Sequence, residues 1–146
     1  MTPDPQKCLA ESKRVLKDGG VLACSSWEGS QWMDLMNLLP QIRPDKKVPE
    51  LPKEWSSDSA VKAELEKAGF RDVESHRVHT VMKFEKMEDL MEFMITKLPH
   101  IVMLVKDFSE DERARLKSLW VEEGRKMCPS EPGELTGTAL VAVGRK

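Results

Sequence analysis

The chain carries three histidines, three cysteines and four tryptophans, and their spacing limits the chemistry open to them. His76 and His79 could bind a metal as neutral imidazoles, but three residues apart on a strand they point to opposite faces and cannot share one ion. Cys24 closes the apolar run Val21-Leu22-Ala23-Cys24, where nothing lowers its pKa, so it reads as an inert buried thiol rather than a nucleophile. Trp27 and Trp32 follow that run; large aromatic rings at a strand end can stack on a planar ligand, and they serve equally as core packing. Gly133-Glu134-Leu135-Thr136-Gly137 is a glycine pair with neither a strand before it nor a helix after it, which weighs against a phosphate or cofactor loop. No catalytic dyad is visible.

These residues must be held by a core of modest size. At 146 residues the chain suits one domain. Its net charge of -2 comes from 33% charged residues of mixed sign, so no basic stripe invites nucleic acid. The cysteines (Cys8, Cys24, Cys128) are odd in number and lack CxxC spacing, which argues against a disulfide framework and a zinc site. No apolar run reaches the roughly 18 residues of a membrane span, and MTPDPQK lacks the apolar core of a signal peptide. A cytoplasmic location is the expectation.

The elements that would position the candidates are legible in outline. Asp4-Pro5 opens a helix expected to run to about Lys17, and Gly19-Gly20 supply its left-handed exit. Val21 to Cys24 reads as a strand covered on both faces, hence a parallel one. Ser30 can cap a helix over Gln31 to Leu39 that Pro40 ends, and the four prolines within residues 40 to 56 predict an extended surface loop. A helix at about 58 to 68 follows, with Gly69 at its exit and Phe70 folding back on Leu65. Residues 71 to 84 have the β-branched bias of a strand. Met87, Leu90, Met91, Met94 and Leu98 recur at helical spacing up to Pro99, then comes a short apolar piece, Ile101 to Val105. Ser109 and Glu112 form a capping box for a helix to about 127, and LTGTALVAVG, 135 to 144, reads as a last buried strand.

RVLKDGGVLACSSW resembles the helix, turn and strand written RVLKPGG in class I S-adenosylmethionine-dependent methyltransferases, with Asp18 where that family usually has proline. AELEKAGFRDVESHRV resembles the helix and strand that follow it there, and LTGTALVAVGRK the family's final strand. The resemblance spans nearly the whole chain and implies the C-terminal half of an α/β, Rossmann-like fold. It implies a three-stranded mixed sheet, with two parallel strands and the last strand antiparallel between them. Helices flank this sheet, and residues of about 86 to 127 form a helical cover before the last strand. In that family a glycine-rich loop after the first strand and an acidic residue after the second hold the cofactor; neither occurs in this sequence.

The resemblance also implies roles. Residues at the end of the first strand here would face a substrate, namely Ser25, Ser26 and Trp27, with Trp32 and Met36 on the next helix and Met91, Met94 and Ile95 in the cover. His100, after Pro99, is the best-placed possible base. Methyl transfer from a sulfonium is an in-line displacement that mainly requires donor and acceptor to be aligned, and a base matters only where the acceptor must lose a proton early. The expectation is therefore a methyltransferase-derived protein that binds a small hydrophobic molecule, with no cofactor held by this chain alone and S-adenosylmethionine bound once the other half is supplied. The unpaired edge at 21 to 27 predicts a homodimer or a partner chain. Two other readings stand beside it: a repurposed binding protein, isomerase or cyclase that works without the cofactor, and a non-catalytic interaction module.

Overall fold

A computed structural model describes residues 4–146, leaving Met1 to Pro3 outside the description. The chain divides into two compact units: Met1–Gly29, Leu51–Thr80 and Thr138–Lys146 make the first, and Ser30–Glu50 and Val81–Gly137 make the second.

In the first unit, helix α1 (Pro5–Val15) starts where the Asp4 side chain accepts a hydrogen bond from the Lys7 N–H at 3.0 Å, and Pro5 occupies the first turn, where no N–H is needed. The helix stops two residues short of Lys17, and the chain turns at Gly19, whose φ of 76° lies in the left-handed region. Helix α3 (Asp58–Lys67) is capped by Ser57. Its exit is a Schellman motif: Phe70 N–H donates to Leu65 C=O at 3.1 Å and Gly69 N–H to Glu66 C=O at 2.8 Å, with Gly69 at φ 83°. The Lys13 ammonium reaches the Ala68 carbonyl at 3.3 Å, a cation at a helix C-terminus, where it meets the unpaired carbonyls. Leu9, Val61, Leu65, Phe70, Val73, Leu140 and Ala142 form the core, and Leu22, Cys24 and Trp55 pack on it.

Strands β1 (Val21–Ser30), β2 (Arg71–Phe84) and β3 (Gly133–Arg145) form one sheet in the order β1-β3-β2. Every hydrogen-bonded pair is antiparallel. At the C-terminal end of β3, Lys146 N–H donates to Gly20 C=O at 2.9 Å, and the Arg71 guanidinium donates to Lys146 C=O at 3.2 Å, so that end lies beside the starts of both neighbours. The last strand is central and antiparallel to both neighbours, so β1 and β2 run the same way without pairing; the sheet is antiparallel throughout and is not the mixed sheet expected from the sequence. The strand read as covered on both faces is likewise corrected. Leu22 and Cys24 pack on the core, whereas Val21, at 50% exposure, and Ala23 and Ser25 are uncovered. The apolar run recorded what the strand could bury and not which way its neighbour runs.

In the second unit, Ser30 caps the short helix α2 (Gln31–Met36) by accepting from Met33 N–H at 3.2 Å. The helix ends before Leu39, and a 3-10 turn, Leu39–Gln41, carries Pro40 near its start. A second 3-10 turn, Lys53–Trp55, lies in the first unit, so the proline-rich stretch is not extended throughout. Helix α4 (Met87–Lys97) is followed by α5 (Pro99–Leu104), a helix where the sequence suggested only an apolar piece, because Pro99 ends one helix and serves as first residue of the next. Helix α6 (Glu110–Met127) has the expected capping box: Glu112 N–H donates to Ser109 Oγ at 3.2 Å and Ser109 N–H to Glu112 Oε2 at 2.8 Å. Helices α2 and α4 pack on α6, and α5 packs on α4. Among the described residues no helix is long and apolar enough to cross a membrane.

Gly69 tests the local account. Gly69→Ala forces a side chain into the left-handed region and places its Cβ at 2.3 Å from Lys13 Nζ. It should lose about 1–2 kcal/mol in urea unfolding, whereas Gly29→Ala, with nothing within 4 Å, should shift the midpoint little.

Candidate functional site

Ser25, Ser26 and Trp27 sit on β1 in the first unit. Ser25 is exposed, and Trp27 is half-buried. The Ser26 hydroxyl donates to the Trp55 carbonyl at 2.7 Å, which ties the strand to the 3-10 turn and orients the hydroxyl toward backbone. Burial pushes the Cys24 thiol upward, with nearby Cys8 adding to the effect, so its thiolate is disfavoured.

The other candidates lie in the second unit. Trp32, Met36 and Ile95 are buried, and Met91 and Met94 are fully inaccessible, so all five are packed into its core. His100 is exposed in the first turn of α5. Burial thus groups the five apolar candidates and separates His100 from them.

Two glycines explain how the buried residues are seated. At Gly137 an added Cβ would lie 2.6 Å from Trp32 Cη2 and from Ser30 Cβ, so the indole rests where only a glycine leaves room. At Gly124 it would lie 2.7 Å from Met87 Sδ, which brings α4 close to α6. In the sequence Gly137 reads as half of a weak glycine pair and as part of the last strand; the ring it accommodates lies over a hundred residues away, and no local pattern signals that approach.

Two further features stand outside the site candidates. Trp120 on α6 is wholly buried, and its Nε1–H has no hydrogen-bond partner among the described residues. Arg43 gathers a charge cluster around the proline-rich loop. Its guanidinium bonds Asp45 at 2.8 and 2.9 Å and lies 3.8 Å from Asp107 and 3.5 Å from Glu112; it also stands 5.3 Å from the Phe108 ring centre. Lys46 pairs with Asp107 at 2.7 Å. Hydrogen bonds from Arg43 hold the Asp45 carboxyl below its ordinary pKa, those from Lys46 do the same for Asp107, and the Ser109 N–H leads the lowering at Glu112.

A groove of about 580 Å³ in the second unit runs past Glu88, Lys117, Val121 and Arg125 and includes none of the candidates. Its cations are already engaged: Arg125 with Glu88 at 2.5 Å and Glu131 at 3.2 Å, and Lys117 with Glu92 at 2.8 Å. Among the described residues no group of three or more His, Cys, Asp or Glu side chains could hold a metal ion.

With the geometry in hand, comparison with known proteins shows that the chain is similar along its whole length to the C-terminal part of proteins named methyltransferases. No protein-family model matches it. Over 144 residues, 99% of this chain, it is 40% identical to methyltransferase ucsB of Acremonium sp, covering 50% of that protein. It is 29% identical to methyltransferase tpcH of Aspergillus fumigatus over its full length and 55% of tpcH. A solved structure from Galdieria sulphuraria, described as that of a sarcosine dimethylglycine methyltransferase, aligns with 99% of this chain and 48% of its own. Its identity is 20% and its TM-score 0.38, too distant to carry an argument. The chain spans about half the length of the curated relatives it matches.

The Arg43 cluster yields a signed prediction. The folded pKa values of Asp45, Asp107 and Glu112 are depressed, so the stability they contribute is full above their unfolded pKa values and is lost as pH falls below about 4. Arg43→Gln should therefore lower the urea midpoint at pH 7, and the gap to the parent protein should narrow below about pH 4 and in about 0.5 M salt.

Proposed function

We propose that this chain supplies the acceptor side of an S-adenosylmethionine-dependent methyltransferase acting on a small hydrophobic molecule. The donor site, on this reading, belongs to polypeptide corresponding to the half of the relatives that the chain does not span. The observation that carries the proposal is the match to methyltransferase ucsB along 99% of this chain and 50% of that protein. The sequence supports it, since it holds no strand followed by a glycine-rich loop to bring backbone N–H groups up to the donor.

The proposed acceptor-side residues are Ser25, Ser26 and Trp27, midway along β1 in the first unit, and, within the second unit, the cover residues Trp32, Met36, Met91, Met94 and Ile95. Because Met91 and Met94 have no exposed surface, a ligand reaches them only by displacing packed side chains. Methionine suits that demand, being unbranched and polarizable enough to repack around a new shape. His100, exposed on α5, is the proposed base for acceptors that must lose a proton.

The donor half is proposed to join along the outer edge of β1, which has β3 on one side and no strand on the other among the described residues. The exposed Val21 and Ala23 give that edge apolar side chains to cover. When the donor half is missing, the same edge pairs with a second copy of the chain.

Calorimetric titration with S-adenosylmethionine, run with light scattering, tests both parts. The chain alone should give no saturable heat up to about 1 mM ligand and should scatter above the monomer mass at micromolar concentration. Val21→Asp, which puts a charge on the open strand, should restore the monomer. Micromolar binding by the chain alone would place a donor site within it and overturn the first part. A monomeric parent chain would overturn the second.

A further inference from the structure

Three buried side-chain atoms have no hydrogen-bond partner among the described residues: Asp58 Oδ1, Ser75 Oγ and Trp120 Nε1. The first two belong to half-buried side chains that border a groove of about 390 Å³ in the first unit. Trp120 differs, since its whole side chain has no exposed surface. An indole nitrogen can only donate, and a buried donor with no acceptor is a standing cost that phenylalanine would not carry at the same place.

Helix α4, which packs on α6, is rich in methionine and buries Met87, Met91 and Met94. Gly124 lies one turn further along α6, on the same face, and receives Met87 Sδ from α4. Helices α2 and α4 both pack on α6; α2 buries Trp32 and Met36, and α4 buries Met91, Met94 and Ile95. These are the five residues proposed above to cover the acceptor. Thioether sulfur is a weak acceptor and leaves the indole N–H without a strong partner. The region thus combines a deformable apolar lining with one unmatched donor, which is the arrangement of an orienting group in a site for apolar ligands.

We infer that Trp120 Nε1–H is the hydrogen-bond donor for a carbonyl oxygen on the methyl acceptor, bound among the methionines between α4 and α6. This rests on the reading of the chain as the acceptor side of a methyltransferase. The class of ligand follows from the lining: a neutral, largely apolar molecule, preferably aromatic, since methionine sulfur packs well against rings. A carboxylate is disfavoured, because the α6 cations Lys117 and Arg125 are already paired with Glu92, Glu88 and Glu131 and leave the loss of its hydration without offset. The carbonyl supplies what the folded chain lacks, and a ligand without it leaves the N–H unmatched.

Acetophenone and α-methylstyrene, which share a shape and differ in the carbonyl oxygen, are the probes. In a 15N-labelled chain the Trp120 indole resonance is identified by elimination with Trp27→Phe, Trp32→Phe and Trp55→Phe. Acetophenone should move it saturably downfield at concentrations up to about 10 mM, and α-methylstyrene should bind about tenfold more weakly. In Trp120→Phe the two probes should bind equally. The inference is overturned by an indole resonance that does not saturate, as an ordered water on the N–H alone would give, by equal affinities in the parent chain, or by an acetophenone preference retained in Trp120→Phe. Should that variant fail to fold, the comparison of the two probes in the parent chain decides. No S-adenosylmethionine is present, so failure here is distinguishable from failure of the donor test.

Discussion

The hydrogen bonding of β3 is the constraint on which the rest of the sheet depends. It is the one strand with a partner on each edge; β1 and β2 each pair with it and not with each other. A strand so placed has its N–H and C=O groups committed on both sides, and its side chains must then suit close neighbours above and below. Its buried positions are odd through Leu135, Gly137 and Ala139 and even from Leu140 through Ala142 and Gly144. That change of phase explains why the strand reads as an almost unbroken run of small and apolar residues rather than as an alternation. Two of those residues are glycines for a steric reason: a Cβ at Gly137 would strike the Trp32 ring, and one at Gly144 would lie 2.9 Å from Phe70 Cβ.

Signals whose cause lies within a few residues were legible in the sequence. The capping box of Ser109 and Glu112, the caps at Asp4 and Ser30, and the exit at Gly69 and Phe70 all form as the spacing predicts, because each partner sits three to five residues from the other. The direction of β1's neighbour was not legible, because an apolar run states what can be buried and nothing about the strand that buries it. Helix α5 was missed since Pro99 was read only as a terminator, whereas a proline at the first helical position is as favourable as one after the last.

The candidate site was less readable than the fold, and for a related reason. Methionine and tryptophan at helical spacing satisfy a core and a ligand equally well, so residue type alone could not divide the two roles for Met91, Met94 and Trp32. Burial narrows this. What it could not have predicted is Trp120, whose importance rests on an acceptor missing from the elements packed around α6, a relation among residues distant in sequence. The Arg43 cluster escaped notice likewise, because Asp107 and Glu112 lie more than sixty residues from the loop they hold.

These two features place different demands on the second unit. Around Arg43, charges meet in fixed geometry, and a displaced guanidinium leaves three carboxylates facing one another with only Lys46 to offset them. Such a contact resists gradual change, since its partners must either stay paired or separate into water. The methionine-lined helices face the opposite case: dispersion contacts are individually small and re-form around many shapes, so the apolar face of α4 can repack while the pairs Glu88–Arg125 and Glu92–Lys117 still tie that helix to α6. A unit built this way yields first where its packing is apolar and last where its loop is charged. Repacking of the apolar face of α4, as the proposed acceptor site requires, is therefore compatible with a proline-rich loop that stays anchored to the start of α6.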